Sequence, residues 1–269
     1  MKLKMWQVDA FAQRPFEGNP AALVLLEGFI SAERMQQIAN ENNLAETAFF
    51  VRTAPGQYDL RWFTPQAEVD LCGHATLASA HLIFTELEPD LDEVNFQTRS
   101  GRLCVSRGPD GWHEISLPSD PPTPWWDKNF AEELGTALGV APPQELQRAR
   151  YLMAVWDDAK MVARIEGPGG ITPLLHAQGM WGLIVTAKGF GDHDFVSRFF
   201  APAKGVPEDP VTGSAHCCLV PFWARRLGKT TLHARQISPR GGDLICREAR
   251  GRTILKGPCA LYMVAEIFV

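Results

Sequence analysis

No stretch of 18 consecutive apolar residues occurs in this 269-residue chain, so no membrane-spanning helix is expected. There is no surplus of positive charge either: 26 Lys and Arg stand against 31 Asp and Glu, a formal net charge of -5. That balance supplies no cationic field for nucleic acid or anionic lipid, and neither partner is expected. The first twenty residues interrupt their apolar positions with Lys4, Asp9 and Arg14, which leaves no signal-peptide core, and the expected location is the cytoplasm. The six cysteines include no C-x-x-C pair, so they read as reduced, buried small hydrophobes. The seven histidines form no H-E-x-x-H, and the glycine-rich stretches match neither a P-loop nor G-x-G-x-x-G, so neither a metal nor a nucleotide cofactor is expected. A G-x-S-x-G elbow is also missing, and Ser214 and His216 lie too close along one helix to face each other, which discounts a serine hydrolase. With 45% hydrophobic and 21% charged residues, the composition is that of a globular protein long enough for two domains.

What is present is a repeat. Residues 61–76 read RWFTPQAEVDLCGHAT and residues 198–216 read RFFAPAKGVPEDPVTGSAH. Both run from Arg through aromatics and Pro to an acidic loop, then to Gly and a hydrogen-bonding residue. Arg61 and Arg198 are 137 positions apart, and Gly73 and Gly213 are 140 apart, close to half the chain. That offset is the mark of a duplicated domain. In each copy the glycine opens a stretch that is apolar on nearly every side, GHATLASAHLIFTEL (73–87) and GSAHCCLVPFWARRLG (213–228), which reads as a helix buried inside its domain. Short β-type stretches surround both, from KLKMWQVDAF to HEISL in the first half and from YLMAVW to LYMVAEIF in the second. Further helices are expected over 31–43, capped by Ser31, and over 127–139, capped by Asp127 and stopped by Gly139. The expected fold is therefore α+β: two similar domains, residues 1–118 and 119–269, each a largely antiparallel sheet rolled around a central helix. The proline-rich stretch 117–127 serves as linker.

A helix start leaves unpaired N–H groups and partial positive charge, so two such starts brought together would bind an anion such as a carboxylate. Gly73 and Gly213 would let the ligand approach the backbone, and His74, Ser214, Asp209 and Thr212 stand beside them as hydrogen-bonding groups. Each has an ordinary structural role as well: a cap for Ser214 and Thr212, a turn for Asp209, an internal hydrogen bond for His74. Their joint recurrence favours a site. Glu46, within NNLAETAFFV, would serve as a general acid and base if buried, although its local sequence alone favours a solvent-facing residue at the start of a strand.

The motifs VDAFAQRPFEGNPAALV (8–24), NNLAETAFF, DLCGHATLASAH (70–81), EDPVTGSAH (208–216) and SPRGG (238–242) together resemble the PhzF-like phenazine-biosynthesis isomerase family, over essentially the whole chain. The resemblance implies a diaminopimelate epimerase-like fold and a cofactor-independent isomerase that works as a homodimer. The best-known member acts on trans-2,3-dihydro-3-hydroxyanthranilate, moving a proton from one ring carbon to another. By this likeness Glu46 is the proton-shuttling residue, with His74 and Asp209 as catalytic partners. Gly73, Thr212, Gly213 and Ser214 would then bind a small carboxylate substrate. The related epimerases use two cysteines. Here Cys72 precedes Gly73, but Ser214 follows Gly213, and Cys217 and Cys218 come about one turn later. A thiol-dependent amino-acid epimerase or racemase is therefore the second reading, and a non-catalytic small-molecule binding protein the third. Cys72 could line the pocket or simply be buried.

Overall fold

Stretches rich in β-branched and aromatic residues, bounded by Gly, Pro and Asp, become strands throughout the computed structural model, which describes residues 1–269. Its contacts separate two units, Met1–Leu117 with Ile254–Val269, and Pro118–Thr253. Numbered in chain order, the strands of the first unit are β1 (Lys2–Ala10), β2 (Asn19–Leu26), β3 (Glu46–Ala54), β4 (Gln57–Phe63), β5 (Glu68–Val69), β6 (Glu93–Thr98), β7 (Gly101–Arg107), β8 (His113–Pro118), β17 (Arg252–Gly257) and β18 (Cys259–Phe268). Those of the second are β9 (Thr123–Trp125), β10 (Glu145–Arg148), β11 (Leu152–Trp156), β12 (Leu183–Lys188), β13 (Phe195–Ala201), β14 (Val206–Asp209), β15 (Thr231–Gln236) and β16 (Gly242–Ala249).

The pairing sense makes the duplication explicit. In the first unit β1 and β2 are antiparallel, β2 and β3 parallel, β3 and β4 antiparallel. Strand β4 then meets β5 antiparallel and β6 parallel, and β6 meets β7 antiparallel. The second unit repeats this step for step, from β10 with β11 antiparallel through the parallel pair β11–β12 to β13, which meets β14 antiparallel and β15 parallel. Strand β16 closes the series antiparallel to β15. Each unit is largely antiparallel with two parallel steps.

The second parallel step in each unit needs a crossover, and the helix that makes it is the buried one. Helix α2 (Gly73–Leu82) joins β5 to β6, and every residue of it except His81 is buried. It packs against β1, β2, β3 and β7, so it has no solvent-facing side to keep polar. Beyond it the chain widens into a π-turn, Ile83–Leu87. In the second unit α6 (Gly213–Leu227) makes the equivalent connection between β14 and β15 and packs on β15 and β16. Helix α1 (Ala32–Asn42) begins where Ser31 Oγ accepts from the Arg34 N–H at 3.2 Å, and α3 (Lys128–Leu138) where Asp127 Oδ1 accepts from the Phe130 N–H at 3.1 Å. Gly139 ends α3 in the left-handed conformation, φ 69°. Two short helices that the sequence pattern did not announce, α4 (Ala159–Arg164) and α5 (Ile171–Ala177), lie in the β11–β12 connection and bury Val162, Ile171 and Leu175 in the core of the second unit.

The sequence reading gave residues 119–269 to the second domain; the structure returns the end of the chain to the first. Strand β18 runs antiparallel to β1 from Lys2↔Phe268 to Ala10↔Cys259, and Met263, Ala265 and Ile267 pack on the core built by α1, β2 and β3. The physical reason lies in the repeat, because β9 pairs with β10 in the second unit as β18 pairs with β1 in the first. The segment beside the opening strand therefore follows the last repeat in one case and precedes it in the other.

The arginine that opens each repeated motif has the same task in both units. Arg61 donates from Nε and Nη2 to the two carboxylate oxygens of Glu68 at 2.7 and 2.8 Å, and Arg198 does so to Glu208 at 2.7 and 2.8 Å. Two parallel hydrogen bonds fix the guanidinium and the carboxylate in one plane. Each fork ties β4 or β13 to the short strand that leads into the buried helix. Arg198 also donates to the carbonyls of Val162 and Ile165, and its side chain is 7% exposed. Arg61 is 21% exposed, and Glu68 has a second partner in Arg99 at 2.8 Å. Arg198→Met should therefore cost about 3–5 kcal/mol in urea unfolding, the range for orphaning one member of a buried pair, and Arg61→Met clearly less.

A second buried contact gives the first unit a pH dependence. His81 of α2 and His113 of β8 share one proton across 2.9 Å between Nδ1 and Nε2. Burial holds His81 down at about 4; burial, then the charges of His81 and Arg107, against the opposing Asp110, hold His113 at about 3. The unfolded chain binds protons first, so stability is complete above pH ~6.5 and falls as pH drops towards 4 and 3. Thermal unfolding of wild type should lose roughly 2–4 kcal/mol over that window, and His81→Gln should flatten the dependence.

Candidate functional site

In the first unit the geometry converges on His74, the second residue of α2 and 5% exposed. Three elements hold its ring. Glu46 opens β3 and places Oε2 3.1 Å from His74 Nε2, a close contact without good hydrogen-bond alignment. Asn19 opens β2 and places Nδ2 3.2 Å from Nδ1, and Cys72, the residue before α2, places Sγ 3.6 Å from the same nitrogen. Asn19 is fully buried. Its position depends on Gly18, whose φ is +63° and where a Cβ would lie 2.1 Å from the Ala10 carbonyl oxygen, so only glycine allows the turn that starts β2. This accounts for the G-N-P of the opening motif.

Burial of His74 disfavours the imidazolium, but the negative charges available at Cys72 and Glu46 outweigh it and hold the histidine well above its ordinary range. The Cys72 thiol is itself pushed up, first by burial and then by the neighbouring Glu46 carboxylate. One donor atom each from Glu46, Cys72 and His74 lie within 4.8 Å of one another. The imidazole turns Nε2 to Glu46 and Nδ1 to Cys72 and Asn19. The arrangement suits proton exchange between a carboxylate and an imidazole. Glu46 is part-buried, its side chain 18% exposed, and not the solvent-facing residue that its local sequence favours.

The second unit assembles its own polar cluster at the start of α6. Thr212 Oγ1 donates to Asp209 Oδ2 at 2.5 Å, and the fully buried Gln236 at the end of β15 clamps the turn. Its Oε1 accepts from the Thr212 N–H at 2.9 Å, and its Nε2 donates to the Asp209 carbonyl at 2.7 Å. The SPRGG segment adds a strap, with Ser238 Oγ donating to the Pro210 carbonyl at 2.7 Å. Ser214 is part-exposed in an otherwise buried first turn, and its Oγ lies 2.9 Å from the phenol of Tyr151. His216 is buried, with Nδ1 donating to the Thr212 carbonyl at 2.8 Å, and burial lowers it to about 4, so it is a neutral structural residue. The structure thus brings Glu46 and His74 together beside Gly73, and Asp209 and Thr212 together beside Gly213 and Ser214.

Three residues with parts in these clusters escaped the sequence reading. Asn19 lay inside a recognised motif, Gln236 ended an unremarkable strand, and Tyr151 stood in an apolar one. A buried amide can be recognised only by what it touches.

The profile of the phenazine biosynthesis-like protein family matches residues 8–258. The chain belongs to this PhzF family. An uncharacterized isomerase of Pseudomonas aeruginosa is 46% identical over 263 residues, covering 98% of each chain. A PhzF-family protein of Enterococcus faecalis superposes with a TM-score of 0.92 at 41% identity, covering 100% of both chains. A hydroxyproline epimerase of Agrobacterium vitis matches with a TM-score of 0.60 at 10% identity over 99% of this chain and 92% of its own, which shows the epimerase-like fold alone. The α+β, diaminopimelate epimerase-like fold expected from the sequence is the one this PhzF protein has.

Gln236→Leu keeps the volume but removes every hydrogen bond of the clamp and leaves the buried Thr212 N–H unpaired. It should lower stability by about 2–4 kcal/mol in urea unfolding, where a residue that merely fills space would cost under ~1.5 kcal/mol.

Proposed function

We propose that this protein is a cofactor-independent isomerase in which Glu46 removes a proton from one carbon of a small carboxylate substrate and returns it to another. The observation that carries the reading is the 3.1 Å contact between Glu46 and a buried His74 whose proton affinity is raised. A carboxylate that first accepts and then redelivers the same proton needs no second acid and no redox partner, and the double bond shifts as the C–H bond breaks and the new one forms. His74 holds the Glu46 carboxylate in place for abstraction. Asp209 is the polar catalytic partner of the second unit, and Gly73, Thr212, Gly213 and Ser214 receive the carboxylate and the charge that delocalises onto it. The substrate class follows the family likeness, with trans-2,3-dihydro-3-hydroxyanthranilate as the lead compound. A homodimer is proposed on the same likeness. No helix is long and apolar enough to cross a membrane.

The thiol-dependent alternative loses support from the cysteines themselves. Burial pushes Cys217 up to about 12 and Cys218 higher still, and their Sγ atoms are spent on the Gly213 carbonyl and on Asp120. A binding protein without chemistry would have no use for a carboxylate and an imidazole enclosed together, a pair that costs desolvation energy.

Proton NMR in deuterated water, with dihydrohydroxyanthranilate within a panel of small carboxylates, tests this. Wild type should rearrange a substrate or incorporate deuterium, Glu46→Gln should lower the rate by at least about a hundredfold with unchanged thermal unfolding, and Cys72→Ser should keep most of the turnover. Full activity in Glu46→Gln, or loss of activity confined to Cys72→Ser, would overturn the reading.

A further inference from the structure

Tyr151 lies just before β11, 3% exposed, with its ring edge-on to Trp181 at 5.1 Å and to Phe199 at 4.8 Å between centroids. Gly182 makes room for it: a Cβ there would come within 2.8 Å of both the Tyr151 and Phe199 rings. The phenol oxygen has one hydrogen-bond partner in the structure, Ser214 Oγ at 2.9 Å. Either oxygen could donate in principle, but the two choices are not equal. A buried phenol that accepted from Ser214 would keep its own O–H without an acceptor, at the cost of an unsatisfied buried donor. A phenol that donates satisfies itself and occupies a lone pair of Ser214, and the serine proton must then point elsewhere. Ser214 is the part-exposed residue of that turn, so elsewhere is outward. Burial raises the Tyr151 phenol, which keeps its proton on the ring oxygen at neutral pH.

We propose that Tyr151 is a positioning residue that turns Ser214 into a fixed hydrogen-bond donor, selecting a ligand whose facing group is a pure acceptor, a carboxylate, over one that also presents a donor, such as a carboxamide. This rests on the reading of Ser214 as a substrate-binding residue. It adds to that reading the direction of the serine proton and the residue that sets it. The backbone N–H groups at the start of α6 are donors as well, so donors dominate what faces the ligand and a carboxylate, with two acceptor oxygens and full charge, is favoured over an amide.

The test compares anthranilate and anthranilamide, binding to the full-length protein by titration calorimetry, in wild type, Tyr151→Phe, Ser214→Ala and the double variant. Phenylalanine keeps the ring packing and removes one oxygen, and thermal unfolding of each variant reports whether the fold is retained. Wild type should bind anthranilate and prefer it to the amide. Tyr151→Phe should weaken anthranilate about tenfold, the scale of a hydrogen bond to a charged group, while the amide binds as before or more tightly. The double variant should bind anthranilate no more weakly than Ser214→Ala alone. A merely structural role would weaken both ligands equally. Equal weakening, an unchanged preference in Tyr151→Phe, or no anthranilate binding by wild type would each overturn the proposal. The isomerase reading fails separately: turnover surviving in Glu46→Gln removes the shuttle and leaves the carboxylate-to-carboxamide ratio as the measure of Tyr151.

Discussion

In each unit the whole approach to the buried helix depends on one arginine meeting one glutamate. A helix whose first turns are buried on nearly every side has no polar stripe there to register it against water, so its angle and depth must be set from its start. The forks Arg61–Glu68 and Arg198–Glu208 set them, because each locks a core strand to the short strand from which the helix starts. An ion pair of this kind contributes little net stability when compared with a packed apolar pair, but it has one geometry rather than many. Here that geometry is passed on to the two residues at the head of each helix. His74 and Ser214 hold their places because the loops before them cannot slide.

The polar groups near those helix starts show a common economy. Asn19, Gln236 and Tyr151 are buried and point at a residue that does the work rather than at solvent. Their cost in desolvation is met by hydrogen bonds with well-defined partners, and the result is a limited choice of tautomer and rotamer at His74, Thr212 and Ser214. Preorganisation of that type is what charge-delocalising chemistry requires, since donors that are already aligned need no rearrangement when charge develops.

Much of this was legible in the sequence, and the reasons differ from residue to residue. The duplication showed because it repeats residue types at special backbone positions, where Arg, Pro and Gly have few substitutes. The caps Ser31 and Asp127 showed because a helix start is a local event. Glu46 did not show locally, because its neighbours in the chain describe a strand start, and its partner His74 arrives from 28 positions away. Gln236 and Asn19 were invisible for the same reason, being defined by contacts over 24 and 55 positions. The end of the chain was not legible, since nothing in TILKG or LYMVAEIF says which opening strand it will join.

That last strand has a consequence for the order in which the protein comes into being. The second unit is one continuous stretch, Pro118–Thr253, and it is complete as soon as that stretch has been made. The first unit waits for β18, because β1 lacks its outer neighbour until residues 259–268 have left the ribosome. Domains generally close in the order of synthesis. In this chain the half that is translated first is the half that closes last, and for the time it takes to make the second unit, β1 stands as an open edge in need of protection.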